Sequence, residues 1–509
     1  MNNKKVSNLN FDSILVFMIS ISILIFSFSN GVNGNDFWWH AKVGEWISVN
    51  HKIPTSDFFS WHTSLHGAKW YSHEWLSEYF IYQVLHHTGE IGVYLFSLLS
   101  AFLIFFILIY YNRKHLGKSL VFSCAVFLLF TAILPNFCYF RPHLFSFILL
   151  TLITLLMFHF KKYPDTKLIF LLPVISLLWV NLHGGSSNLT YIIPIIFLIS
   201  TAFDLKIGKL KSNKIENSAL IRLFISMAIS FLALFINPHG SDMILYPYTN
   251  MMDKNMLAYI TEWAAPDAKD ISCIILVYFP IIAIAILFII TRKNIDMTHF
   301  FLFGFTTYLT FRSIRFIVFL VIICIFFIFE YKSPKDKSAK ESKKGPDNPV
   351  IEKILLGIIL LMISSLSVIG IIRTVNYYHK NNGLVQKSVD KKFINLIKKE
   401  KPQRLYNTSH LGELLIYNDI PVFIDGRADL YKGTIYNDHA RLNTMQPLAF
   451  DDKETPPDYD ITNKIIKKYN FDGFFVVKDM PLTTYLYSHP DKYKVLLEDK
   501  SCVYFKTIK

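Results

Sequence analysis

Stretches of about twenty apolar residues with almost no charge recur along this chain. Three of them read "ILVFMISISILIFSFS" (14–29), "IGVYLFSLLSAFLIFFILIYY" (91–111) and "ILLGIILLMISSLSVIGII" (354–372). A helix of that length matches the hydrocarbon thickness of a bilayer. It is also one of the few structures that satisfies its own backbone there. Charged residues make up 18% of the 509-residue chain, against about a quarter in soluble proteins, and apolar residues make up 52%. The pattern predicts eleven membrane helices, at roughly 12–31, 91–111, 119–135, 143–160, 167–182, 189–203, 219–236, 271–291, 298–311, 315–330 and 351–373.

The formal net charge is +14, which raises nucleic acid as a partner. The placement of the charge argues for membrane orientation instead. Lysines and arginines concentrate at Lys4 and Lys5, in 112–118, 161–167, 206–222 and 292–293, and in the loop "YKSPKDKSAKESKK". On the eleven-helix reading these all fall on one side, which the positive-inside rule makes cytoplasmic. The expected topology is a multi-pass protein of the cytoplasmic membrane with a cytoplasmic N-terminus. The bilayer is its partner, and nucleic acid is not. Residues 1–30 resemble a signal peptide in charge, but the apolar run is long and no Ala-x-Ala site follows, so a retained helix is expected. The five cysteines are scattered, with no Cys-x-x-Cys, which supports neither a disulfide framework nor a thiolate metal site.

Two domains are expected: a transmembrane domain over 1–373, including a long first external loop at 31–90, and a soluble extracytoplasmic domain over 374–509. In the loop, "DFWWHAKVGEWISVNH" and "HEWLSEYFIYQVLHH" have helical apolar spacing with Trp and Tyr, and are expected to lie along the membrane surface. Between them "KIPTSDFFSWHTSLHGAKW" suits a turn and short hairpin. In the C-terminal part, "QRLYN", "PVFIDGR" and "FDGFFVVK" read as strands. "SHLGELLIYN" and "ITNKIIKKYN" read as helices, and "YKVLLEDKSCVYFKTI" as a closing hairpin. Together they make a small α/β domain.

The unusual residues gather in the external loops: "NDFWWH", "YSHEWLSE", "YFRPH", "NLHGGSSN", "NPHG", "TEWAAPDAKD" and "FRSIR". That sorting implies one extracytoplasmic site fed by many helix ends. Asp36 ends the first apolar segment, where a carboxylate can act as a general base on a hydroxyl; the competing role is N-cap of the following helix. Glu74 is the second candidate catalytic acid. His40, His73, His143, His183, His239 and Glu262 are candidate substrate-binding groups. Arg141, Arg312 and Arg315 suit a phosphate through paired donors; their competing role is pairing with acids or lipid headgroups. Asp36 and His40, four residues apart, are weak candidates for a divalent ion such as Mg or Mn, but the spacing is no metal signature. Trp38, Trp39 and Trp75 would be interface anchors or sugar-stacking faces. "FIDGRADLYKG" (423–433) would contact substrate or fasten the C-terminal domain.

Taken together these residues resemble the GT-C glycosyltransferase superfamily. The narrower motifs "DFWWH", "DFFSW", "HEWLSE", "WVNLHGG", "TEW" and "FIDGRADLY" look like a bacterial group of membrane proteins with an inferred sugar-transfer role. The resemblance implies a GT-C-like helical membrane fold with a C-terminal extracytoplasmic α/β domain. It also implies a polyprenyl-phosphate-linked sugar as donor, a glycan, lipid or protein acceptor, and Asp36 at the catalytic-acid position. Phe37 stands where a second acid is usual, and no Asp-x-Asp occurs in "YFRPH". A lipid-linked glycan transporter or flippase, and a non-catalytic envelope-assembly protein, are the rival readings.

Overall fold

The structure is a computed structural model, and it describes residues 18, 21–32, 34–62, 67–116, 139–251, 261–291, 293–331, 349–431, 433–445 and 459–508. The expected helix at 119–135 and most of the Lys-rich stretch after Tyr331 lie outside these residues. Contacts divide the chain into two compact units, one of 1–33, 90–244 and 264–385 and one of 34–89, 245–263 and 386–509. This differs from a division at 373/374, because the first external loop is grouped with the C-terminal segment.

The first unit is helical. Among the described residues, four helices are long and apolar enough to cross a bilayer: Trp75–Leu108, Pro142–Lys162, Gly184–Thr201 and Ile271–Ile290. Shorter apolar helices occupy Lys167–Leu182, Asn217–Ala233 and Ile314–Phe327. Their outward faces carry Ile221, Leu232, Ile289 and Ile290, the reverse of a soluble helix, whose outer stripe is polar. Inside, Thr151, Ser230, Thr306 and Thr310 return their hydroxyls to the carbonyls of Phe147, Ser226, Leu302 and Thr306 at 2.7–2.9 Å. Each hydroxyl is thereby satisfied without water. The long helix Trp75–Leu116 is broken at Gly89 (φ 64°, ψ −166°), and the boundary between the units falls at this residue.

The second unit starts with two helices, Phe37–Asn50 and the segment of the long helix before Gly89. Gly44 lets their backbones touch: a Cβ there would lie 2.0 Å from the Glu78 carbonyl oxygen. Helix Ser409–Tyr417 packs on Phe37–Asn50. Trp38 and Trp39 are consequently buried, at 3% and 5% exposure. Trp38 packs on Tyr417 with ring centroids 4.8 Å apart and donates to the Gln386 carbonyl. They are core residues, which corrects the expectation of surface anchors or sugar-stacking faces. The apolar side of this helix is taken by protein and is closed to a headgroup layer.

A four-stranded sheet completes the unit, in the order 405–407, 473–477, 502–507, 493–498. The first pair is parallel and the others antiparallel. Among the described residues the "PVFIDGR" stretch makes one bridge, Ser60 to Val422. Its polar groups are taken by side chains instead, since Asn407 accepts from Phe423 N at 2.9 Å and donates to Ile424 O at 2.7 Å. The segment therefore runs through the core without becoming a strand.

Arg427 fastens this core. The residue is 2% exposed, and its guanidinium donates to both Asp425 oxygens at 2.9 and 2.7 Å and to Asp57 at 2.6 Å. Phe59 and Trp70 flank it, and Tyr431 donates to Asp425. Of the two roles open to "FIDGRADLYKG", these contacts describe fastening, with the external-loop hairpin held to the C-terminal segment. Replacing Arg427 by Met leaves two carboxylates buried without a counter-charge. The expected loss is about 3–5 kcal/mol, read as a large drop in the unfolding temperature of the purified full chain.

Candidate active site

The polar groups of the second unit gather along Phe37–Asn50 and around "HEWLSE". Asp36 stands immediately before the helix in helical conformation (φ −70°, ψ −18°) and makes no side-chain capping hydrogen bond. The N-cap role is therefore not the one its carboxylate fills. One of its oxygens lies 2.7 Å from the point where a Cβ on Gly426 would sit. A Glu413 oxygen lies 3.0 Å and the Trp39 indole nitrogen 3.2 Å from that same point. Two carboxylates and an N–H donor thus crowd against one bare Cα. The Trp39 indole nitrogen is buried with no hydrogen-bond partner among the described residues. Glu413 and Gly426 were missed in the sequence because they lie nearly four hundred residues from Asp36. The one available signal was the glycine inside an acid- and Arg-rich motif.

A second cluster alternates acid and imidazole. His40 is 2% exposed, with Nδ1 3.3 Å from Glu78 and Nε2 3.7 Å from Glu74. Ser72 donates to the other Glu78 oxygen at 2.6 Å. His73 Nε2 lies 3.5 Å from Glu74 and 3.3 Å from the Tyr246 hydroxyl, which in turn donates to Asp429 at 3.0 Å. His73 Nδ1 is 3.2 Å from the Tyr71 carbonyl. Burial opposes charge on His73. The charge and hydrogen bond of Glu74, the charge of Asp429 and the Tyr71 carbonyl more than offset it, and raise its pKa to about 9. His73 is therefore a cation at neutral pH. His40, Glu74 and Glu78 each offer a ligand atom, all within 4.8 Å of one another. His40 is turned to these two glutamates, and Asp36 is not in that set.

In the first unit the structure brings His143, His183 and Arg315 together. The His143 and His183 rings are 4.4 Å apart. Arginine has only donors, so the 3.4 Å contact from Arg315 to His143 Nδ1 leaves the His143 proton on Nε2. His183 Nδ1 meets the hydroxyls of Ser146 at 2.6 Å and Ser186 at 2.8 Å, and Trp179 Nε1 donates to both serine oxygens. The two serine oxygens also lie 2.8 Å from each other, so Ser146, Ser186, Trp179 and His183 Nδ1 form one closed buried hydrogen-bond cluster. Arg141 is the residue before helix Pro142–Lys162, whose first turn holds no acid, and it donates to the Tyr139 hydroxyl. The result is a donor-rich region at a helix N-terminus, where the backbone dipole already favours an anion.

The remaining candidates stand apart in the chain. His239 follows helix Asn217–Ala233, and its amide donates to Asn237 Oδ1. Glu262 is in the short turn Thr261–Trp263. Arg312 ends helix Met297–Arg312 as an exposed residue.

The fold is similar to those of two solved enzymes. The chain is similar to the archaeal oligosaccharyltransferase AglB from Archaeoglobus fulgidus, solved with an inhibitory peptide and a dolichol-phosphate. The TM-score is 0.55 at 10% identity, covering 94% of this chain and 71% of that one. It is also similar to ArnT from Cupriavidus metallidurans bound to undecaprenyl phosphate, with a TM-score of 0.50 at 12% identity over 99% of both chains. At these identities the likeness concerns the fold. No protein-family model matches the chain, and no curated protein matches its sequence.

The raised His73 pKa has a stability consequence. A folded pKa of about 9 against an ordinary 6.5 contributes stability that is complete below pH 6.5 and is lost as pH rises through about 9. Thermal unfolding followed from pH 6 to 10 is expected to show a loss of a few kcal/mol, each pKa unit being about 1.4 kcal/mol. His73→Gln is expected to flatten that part of the profile.

Proposed function

We propose that this protein is an integral-membrane glycosyltransferase that moves a sugar from a polyprenyl-phosphate-linked donor to an acceptor outside the cytoplasm. The observation that carries this reading is Asp36: a carboxylate with no capping duty, set beside Glu413 and an indole N–H against a glycine. The fold's likeness to membrane glycosyltransferases supports the class. The lipid phosphates in the solved AglB and ArnT complexes support the donor type.

On this reading Asp36 accepts the proton of the acceptor hydroxyl as that oxygen attacks the anomeric carbon, and inversion follows from a single displacement. The bond from the anomeric carbon to the phosphate oxygen breaks, and negative charge grows on the leaving phosphate. Arg141 and Arg315, with His143 and His183, are assigned to that charge. Arg312 is assigned to the same role by residue type. Glu74, held between His40 and His73, orients the polar wall of the second unit. His239 and Glu262 stay assigned to substrate contact. A divalent ion, when bound, would be held by His40, Glu74 and Glu78 and would supply positive charge there.

Two substitutions test the reading. Asp36→Asn in membranes given labelled lipid-linked sugar is expected to lower transfer by roughly a hundredfold or more; unchanged transfer by well-inserted protein would refute the base. Gly426→Ala is the subtler probe. Gly426 has no left-handed backbone, so alanine is tolerated there conformationally, but its methyl would sit 2.7 Å from the Asp36 oxygen. Transfer is expected to fall by about a hundredfold through misplacement of that carboxylate, with the unfolding temperature little changed.

A further inference from the structure

Helices Leu189–Thr201 and Asn217–Ala233 of the first unit are joined by a hairpin, strands Leu205–Ile207 and Leu210–Ser212. A loop that only marks orientation needs no fixed structure, yet this one is pinned in several places. Its two-residue turn starts at Gly208 (φ +56°), as tight hairpins require. The Ser212 hydroxyl bridges Phe203 O at 2.5 Å and Leu205 N at 3.1 Å. Lys209 Nζ caps the carbonyls of Ile289 and Thr291 at 2.6 and 3.0 Å. A third strand, Ile295–Asp296, pairs in parallel with the second.

The two faces of the pinned hairpin differ. Phe203, Leu205 and Ile207 alternate along the chain and are 70%, 44% and 60% exposed. On the opposite face Lys206 and Lys211 are direct cross-strand partners. Like charges so placed destabilise a hairpin unless an anion lies between them. Asp296 is the register partner of Lys211, but both its oxygens are taken by Lys161 at 2.6 Å. Lys214 adds another exposed cation beside the second strand. An apolar edge and an under-neutralised lysine face, both at the ends of two apolar helices, match the boundary between acyl chains and anionic headgroups.

We infer that this hairpin is a binding surface for anionic phospholipid, with Phe203, Leu205 and Ile207 set at the acyl boundary and the headgroup phosphate between Lys206 and Lys211. The inference is independent of the proposed reaction.

The test uses the full chain in bilayer discs of phosphatidylcholine mixed with phosphatidylglycerol, with retained lipid counted by native mass spectrometry. The wild type is expected to retain phosphatidylglycerol in preference. Lys206→Gln with Lys211→Gln is expected to weaken that preference roughly thirtyfold, about fivefold for each surface lysine. Lys206→Arg with Lys211→Arg is expected to keep it. Both lysines are exposed, so the variants keep the fold, and matching unfolding temperatures in pure phosphatidylcholine check this. Equal retention of the two lipids by the wild type, or an undiminished preference in the glutamine variant, would overturn the proposal. Loss of the preference to inorganic phosphate at constant ionic strength would also overturn it, by making the surface a phosphate site.

Discussion

The second unit depends on the burial of Arg427 between Asp57 and Asp425. A guanidinium this deep is tolerable only with its donors met, and here two carboxylates, with a tyrosine hydroxyl on one of them, do so. The partners come from the external loop and from the C-terminal segment, so the same contacts that neutralise the charge also bring together chain regions that are far apart in sequence. Phe59 and Trp70 close the site to water and make those electrostatic contacts stronger. Gly426, next to Arg427, is held in place by this network, and the position of Gly426 defines the surroundings of Asp36.

Glycine does a related job elsewhere. Gly44 allows Phe37–Asn50 to lie backbone against backbone with the helix carrying Glu78. That approach brings His40 within reach of Glu74 and Glu78. Bulkier residues at positions 44 and 426 would separate the helices and the carboxylates. The unit therefore combines a rigid charged lock with a close backbone approach at Gly44 and a side-chain crowd at Gly426.

In the first unit, hydrogen-bond bookkeeping decides chemistry. An arginine sets the tautomer of His143, while two serines and a tryptophan close a buried hydrogen-bond cluster on His183 Nδ1. His143 becomes a donor at Nε2, at the start of a helix whose first turn holds no acid.

Much of this was legible in the residues alone. Apolar run length placed the four helices that are long and apolar enough to cross a bilayer, because hydrocarbon thickness and helix rise are fixed quantities. Alternation and turn residues placed the 473–477 strand and the 493–507 hairpin. Asp36, His40, Glu74 and the external histidines stood out as candidates because such groups are costly at a membrane boundary. Burial of Trp38 and Trp39 did not follow, since an amphipathic helix shows which face is apolar and is silent on whether lipid or protein covers it. Nor did Glu413 and Gly426, whose relevance to Asp36 is a matter of a few ångströms between distant segments. Local pattern determines what each segment can become, because it acts through neighbouring residues. Which carboxylates become neighbours is decided by packing and by the neutralisation of buried charge, and those are properties of the folded chain.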